Sequence, residues 1–388
     1  MLQAVPKDKT VTKSFRGAHA GAEHFISAVA PAGFSFEKQI AIVQECYAEA
    51  VRSLGLSAGT AVFRRLFLSD AVNQAPLIRN CGLASDSPDN PVAISVVQQP
   101  PLPGSKIALL AYHIEHRGRL SKRRLSPKHL LVEKNGMRHL WSTGLCASAS
   151  QRTSCVAQTR STFSELTEGL SAFGANLRDH CVRTWIFLKN VDVFYQGMVD
   201  SRRKLFSHHG LTSDTHYIAS TGIEGACGHR FDVVAMDAYS NLDLSATQRS
   251  FLNDLDLMCA SRAYGVTFER GTQISYVDRS HHFISGTASI DSTGRTVHPG
   301  NVLRQLDRAL RNVEALLRSG GAHLDDMMHW IIYLRDPTDH ARVRDHLRER
   351  FPGIPTLIVQ GAVCRPEWLV EVEGMAITAN NKPDLPAF

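Results

Sequence analysis

The chain has 388 residues, 43% of them hydrophobic and 21% charged, with a mild formal net charge of +6. That composition belongs to a soluble globular protein with enough apolar material for two or three domains, and it excludes a disordered or fibrous chain. No run of eighteen apolar residues occurs and the start is polar and basic without an apolar signal segment, so a cytoplasmic protein with no membrane contact is expected.

Taken in order, the chain repeats itself. Ile40, Val43, Tyr47, Val51 and Leu54 recur at helical spacing, Gly55 stops the helix, and the run 62–68 (VFRRLFL) predicts a strand. The basic excess then concentrates in 117–128 (RGRLSKRRLSPK), which reads as an exposed linker. No aromatic residues interleave with it as single-strand binders require, so no nucleic-acid partner is expected. The pattern returns with Phe163, Leu166, Leu170 and Phe173, then Gly174, then a strand over 184–188. A third copy has Leu306, Leu310, Val313 and Leu317, a Gly320-Gly321 stop and a strand over 330–334. An acid follows each strand: Asp70, Asp192 and Asp336. Residues 340–350 mix acids and bases and predict a solvated helix face. The expected organisation is an extension over 1–22, repeats over 23–116, 137–240 and 265–380, and linkers over 117–136 and 241–264.

The chemistry concentrates near the end. In Leu369-Val370-Glu371-Val372-Glu373 the alternation has period two, so the valines share one strand face and the glutamates the other. Glutamates so placed sit roughly 7 Å apart, and each charge raises the pKa of its neighbour, as burial does. A carboxyl kept protonated near neutral pH is the result; a solvated strand face is the plainer alternative. The first copy has no carboxylate at these positions and the second, Val233-Val234-Ala235-Met236-Asp237, has alanine in place of Glu371. One working site per chain is expected.

With Ile331-Ile332-Tyr333-Leu334-Arg335-Asp336 and Phe351-Pro352-Gly353-Ile354-Pro355 before it, this strand resembles the closing half of a Rid (YjgF-type) domain. The resemblance implies an α/β (α+β) fold of three Rid-like, chorismate-mutase-like domains in a pseudo-trimeric barrel. The imine deaminases of that family carry an arginine where this chain reads Thr356. Three such copies together with Ser285-Gly286-Thr287-Ala288, Gly294-Arg295, Ala219-Ser220-Thr221-Gly222 and Val363-Cys364-Arg365-Pro366 look like a chorismatase. Chorismatases split chorismate into pyruvate and a cyclic acid.

Carried over by that resemblance, Glu371 is the acid that attacks the enolpyruvyl group, and Cys364 and Gly271 mark the subfamily that makes 3-hydroxybenzoate. Alanine at the Gly271 place and valine at the Cys364 place accompany the hydrolytic subfamily. A departure is Phe268-Glu269-Arg270, where relatives more often have Phe-Ser-Arg, which adds a carboxylate near the cleft. A dicarboxylate substrate needs cations or oriented N–H donors. Arg270 and Arg365 are the candidates, with Tyr217, Thr221 and Gly222 offering backbone groups from the second copy and Glu373 completing the acid pair. Surface ion pairs, structural turns and a buried thiol are the plainer readings of these residues.

The pairs His208-His209 and His281-His282 cannot chelate from a strand, where neighbours point to opposite faces, and scattered cysteines without C-x-x-C argue against zinc or a disulfide framework. No metal and no cofactor are implied, and the internal threefold predicts a monomer. The alternatives are a Rid-type imine or enamine hydrolase and a non-catalytic metabolite-binding protein.

Overall fold

The computed structural model describes residues 10–19, 21–116, 118, 120–226, 229–259 and 267–388. The first unit contains β1 (Thr10–Arg16), β2 (Ala22–Val29), α1 (Phe36–Ser53), β3 (Ala61–Leu68), α2 (Ala71–Arg79), β4 (Ala93–Gln98) and β5 (Ile107–Glu115). The second contains β6 (Ser121–Ser126), β7 (His129–Lys134), β8 (Met137–Cys146), α3 (Cys155–Ser171), the single turn α4 (Leu177–His180), β9 (Cys181–Leu188), α5 (Val191–His208), β10 (Ala219–Glu224) and β11 (Val234–Asn241). The third contains β12 (Arg249–Phe251), β13 (Gly271–Ser275), β14 (Arg279–Ala288), α6 (Val302–Ser319), β15 (Met327–Leu334), α7 (His340–Arg350), β16 (Thr356–Gln360) and β17 (Val370–Ala379).

Each unit builds one mixed sheet, and the three share a strand order: β2-β5-β3-β4, β8-β11-β9-β10 and β14-β17-β15-β16. In each, one helix links a parallel strand pair, which is the crossover that parallel pairing demands. The first helices of the three units, α1, α3 and α6, begin alike. Ser35, Ser154 and Asn301 accept the amides of Lys38, Ala157 and Arg304. They also end alike, with Gly55, Gly174 and Gly321 just beyond them at φ of 68°, 69° and 79°. The acids after the strands are helix-start residues: Asp70 caps α2, Asp192 lies in the first turn of α5, and Asp336 accepts Thr338 N.

The linkers and the extension differ from expectation. Residues 121–134 are the strands β6 and β7 on the edge of the second sheet. Their basic side chains have partners: Lys122 donates to Ala61 O at 2.7 Å, Arg124 pairs with Asp86, and Lys128 meets Glu165 at 2.8 Å. Part of the second linker, Arg249–Phe251, pairs with β13 in the third sheet. The expected extension supplies β1, paired along its length with β2. Residues 1–9, Arg117, Arg119, Cys227 and 260–266 lie outside the described residues. His208 closes α5 and His209 follows it, so that pair is not on a strand.

The three sheets face one another across a shared aromatic core that includes Phe25 and Tyr112 from the first unit, Trp141 and Tyr239 from the second, and Phe283 and Met375 from the third. The void there is about 50 Å³, well short of the roughly 150 Å³ that admits a benzene ring. It is packing, not a ligand chamber. Among the described residues no helix is long and apolar enough to cross a membrane.

Candidate active site

Strand register fixes which positions correspond. Glu371 pairs with Tyr333 in the third sheet, Ala235 with Phe187 in the second, and Ala108 with Phe67 in the first. The next inward positions are Glu373, Asp237 and Leu110, opposite Ile331, Trp185 and Arg65. Only the third unit carries a carboxyl at the outer position.

The seams between units differ accordingly. Between the first and second, Asp237 accepts from Arg65 at 2.8 Å, from Ser95 Oγ at 2.5 Å and from Gly144 N at 2.9 Å. Between the third and first, the 100–102 segment lies along β16: Leu102 N donates to Ile358 O at 3.0 Å and Gln360 N to Pro100 O at 2.8 Å. Between the second and third a cavity of about 240 Å³ remains.

Helix α5 brings Tyr195 and Arg202 to that cavity, and β10 brings Ser220, Thr221 and Gly222. The third unit brings Phe268, Arg270 and Gly286, the loop residues Cys364, Arg365 and Trp368, and Glu371 from β17. Two of these walls fit closely. A β-carbon at Gly286 would collide with Glu371 Oε1, and one at Gly222 would stand 3.3 Å from the Tyr195 ring.

Glu371 is 5% exposed, and its pKa is raised to about 8, first by burial and then by the neighbouring Glu373 charge. Arg270 and Arg183 pull it back only in part. Glu373 lies beneath it, 1% exposed, and receives Tyr333 OH at 2.8 Å, Arg183 Nη2 at 2.6 Å and the Thr221 hydroxyl. Three donors converge on this carboxylate, which holds it as an acceptor. The two glutamates of one strand face therefore have separate duties: one is pinned and the other carries a proton.

Burial, and after it the Glu371 charge, push the Cys364 thiol up to about 12, while a hydrogen bond from Tyr195 pulls the other way. It is a thiol at neutral pH, not a thiolate nucleophile. Arg270 is 4% exposed beside the Phe268 ring, and Arg365 donates to Gly294 O at 2.9 Å and lies 4.7 Å over the Trp368 ring.

Of the residues expected from sequence, Glu371, Cys364, Arg270, Arg365, Thr221 and Gly222 meet at one cavity. Three stand behind its wall. Glu373 is the buried anchor just described. Gly271 packs against Leu252, where a β-carbon would approach within 3.1 Å. Tyr217 offers no free amide, because its N–H donates to Glu269 Oε1 at 2.8 Å. That bond also places the unusual Glu269: it joins the second and third units instead of adding charge to the cavity, together with Ser285, which accepts from Ser220 N at 2.9 Å and donates to Glu269 O at 2.6 Å. Thr221 spends its hydroxyl on Glu373 while accepting from Gly286 N and Arg183.

Sequence reading missed Arg202 and Trp368. Arg202 is 2% exposed; its Nε donates to Thr267 Oγ1 at 2.9 Å, and among the described residues neither its Nη2 nor Trp368 Nε1 has a partner. The signal for Arg202 was there: Met198, Arg202 and Phe206 form one buried i, i+4, i+8 stripe, so this arginine lies on the apolar side of α5. Among the described residues no group of three metal-ligating side chains occurs.

Residues 273–378 match the family described as Endoribonuclease L-PSP. The third unit is a Rid/L-PSP domain. The chain is 32% identical over 105 residues to a 3-hydroxybenzoate synthase of Streptomyces hygroscopicus, a match covering 24% of this chain and 31% of that protein. It is 29% identical over 96 residues to a RutC family protein of Pyrococcus abyssi, covering 24% of this chain and 76% of the relative. The chain thus spans about a third of the synthase's length. A crystal structure of a chorismatase superposes on 82% of this chain and 93% of its own with a TM-score of 0.60 at 18% identity. The three-unit arrangement around the Rid/L-PSP domain is the chorismatase fold.

Proposed function

We propose that this protein is a chorismatase that converts chorismate to pyruvate and 3-hydroxybenzoate. The observation that carries the reading is a buried carboxyl, Glu371, holding its proton at neutral pH on the wall of a cavity lined with arginines. Similarity to the 3-hydroxybenzoate synthase and the chorismatase fold supports the same choice.

In the first step Glu371 donates its proton to the methylene carbon of the enol ether, leaving an oxocarbenium ion and a carboxylate. The adjacent ring hydroxyl attacks the carbon that bears the ether oxygen. That C–O bond breaks with its electrons closing the pyruvate carbonyl, and the hydroxyl proton returns to Glu371. The resulting ring oxide opens at one C–O bond, the ring proton on the carbon that keeps the oxygen is lost and the oxygen gains a proton, giving an aromatic acid, so atoms balance without water. Arg202, Arg270 and Arg365 supply cations for two carboxylates, and the Cys364 thiol fills the space a hydrolytic water needs. Burial, and after it the Glu373 charge, keeps Glu371 protonated before the step.

Incubation with chorismate, with pyruvate followed by a coupled assay and the ring acid by chromatography, tests this. Equal amounts of pyruvate and 3-hydroxybenzoate are expected from the wild type and neither from Glu371→Gln. Absence of pyruvate would overturn the reading, and turnover of an imine such as 2-aminoacrylate in its place would assign the site to a Rid-type hydrolase.

A further inference from the structure

We propose that Arg335, which does not line the cavity, is the positioning residue that holds the two walls of the catalytic cavity at their working separation. It follows β15 directly, and its guanidinium makes a two-pronged contact with Asp192 of the second unit, Nη1 to Oδ2 at 2.9 Å and Nη2 to Oδ1 at 3.0 Å. The same Nη2 donates to Val363 O and reaches Arg365 O at 3.4 Å, the carbonyls on either side of Cys364.

The placement of each partner gives this contact its reach. Asp192 lies in the first turn of α5, one turn before Tyr195, and the same helix carries Arg202. Val363 and Arg365 belong to residues 361–369, which have no helix or strand of their own. That loop is tied at its ends: Glu224 N donates to Ala362 O at 3.1 Å, and Gln305 holds Glu367 O and Leu369 N at 2.9 Å each. Its middle has the Arg335 fork, the short turn from Trp368 N to Arg365 O, and the Arg365 contact to Gly294 O, which lies within the third unit. One guanidinium therefore connects the helix bearing Tyr195 and Arg202 to the segment bearing Cys364 and Arg365. Tyr195 follows Asp192 by one turn and Cys364 stands between Val363 and Arg365, so each attachment point adjoins one of the two.

The pair is partly exposed, with the Arg335 side chain at 21% and Asp192 at 44%. Exposed ion pairs contribute little to folding, so its effect belongs in the geometry of the site. Misplacement of a reacting group by about 1 Å costs on the order of a hundredfold in rate.

The kinetic part of the test rests on the chorismatase reading; the exchange part does not. For Arg335→Ala and Asp192→Asn, kcat on chorismate should fall roughly ten- to a hundredfold, with KM rising by less than that fall, since neither residue touches substrate but Arg202 and Arg365 move with the two walls. Arg335→Lys keeps the charge but loses the fork and should fall between. Hydrogen exchange of the Trp368 amide, which donates to Arg365 O at 3.0 Å, should quicken about tenfold or more in Arg335→Ala while the protein melts within about 2 °C of wild type. A rise in KM with kcat intact would overturn the proposal by making Arg335 a binding residue. Unchanged exchange at the Trp368 amide would overturn it whatever the substrate proves to be, as would a general rise in exchange with a large fall in melting temperature. If the wild type leaves chorismate untouched, the function fails and exchange alone decides the role of Arg335.

Discussion

Replacing Glu371 with glutamine should abolish turnover and, at pH 7, make the protein more stable. In the unfolded chain this carboxyl titrates near its ordinary 4.5, so at pH 7 it is ionised; in the native state, with its pKa raised to about 8, it holds a proton. Taking up that proton on folding costs about 2.3RT for each pH unit between 4.5 and 7, or about 3 kcal/mol. Glutamine has the same shape and no proton to take up. The variant should therefore gain up to about 3 kcal/mol at pH 7, which over 388 residues corresponds to about 4 °C in melting temperature. The sign follows from the raised pKa: the native state binds the extra proton, so wild-type stability relative to the variant falls as pH rises from 4.5 toward 8. The difference should vanish near pH 4.5 and level off above pH 8 at about 5 kcal/mol. Scanning calorimetry of both proteins at pH 5, 7 and 8.5 measures it, and the wild-type rate should fall above about pH 8 as Glu371 ionises. A gap between the two proteins that does not change with pH, a variant less stable than wild type at pH 7, or a rate that rises through pH 9 would refute the reasoning.

Arg202→Met removes a cation whose Nη2 has no partner among the described residues, so affinity for 3-hydroxybenzoate and 1/KM for chorismate should drop about ten- to a hundredfold with melting unchanged or raised, as calorimetric titration and steady-state kinetics will show. Gly286→Ala places a methyl against Glu371 Oε1 and within 3.0 Å of Thr221 Cγ2; displacing the acid should lower kcat on the order of a hundredfold and move the alkaline limb of its pH profile, both read from initial rates. Asp237→Ala strands the 1% exposed Arg65 side chain without its carboxylate and should cost about 3 to 5 kcal/mol, a melting loss of about 4 to 6 °C. The double change Arg65→Met with Asp237→Leu should recover most of that loss, since Leu110 already occupies the corresponding position in the first sheet.

The three helix-and-strand repeats were legible because each depends on local signals: an apolar stripe at 3.6-residue spacing, a glycine stop and an alternating strand. Glu371 was legible for a similar reason, since period-two alternation decides which face a residue takes before any tertiary contact exists. The 121–134 hairpin was hidden because its charges suggest solvent, whereas Lys122 and Arg124 find carbonyl and carboxylate partners in the first unit, more than thirty positions away in sequence. The roles of Tyr217 and Glu269 were hidden likewise: a bond spanning 52 positions turned a presumed amide donor and a presumed cleft charge into a seam. Local pattern reports what a residue can offer, and only the assembled interface decides who takes it.

Joining the three sheets in one polypeptide lets corresponding positions diverge. An assembly of identical subunits would repeat a reluctant acid three times, with three protons to capture on folding and about threefold the penalty worked out above. Here Ala108 and Ala235 relieve two of the three seams of that load. Asymmetry thus concentrates a single destabilising group where it is useful, and a titration of this molecule with its ligand should saturate at one equivalent per chain.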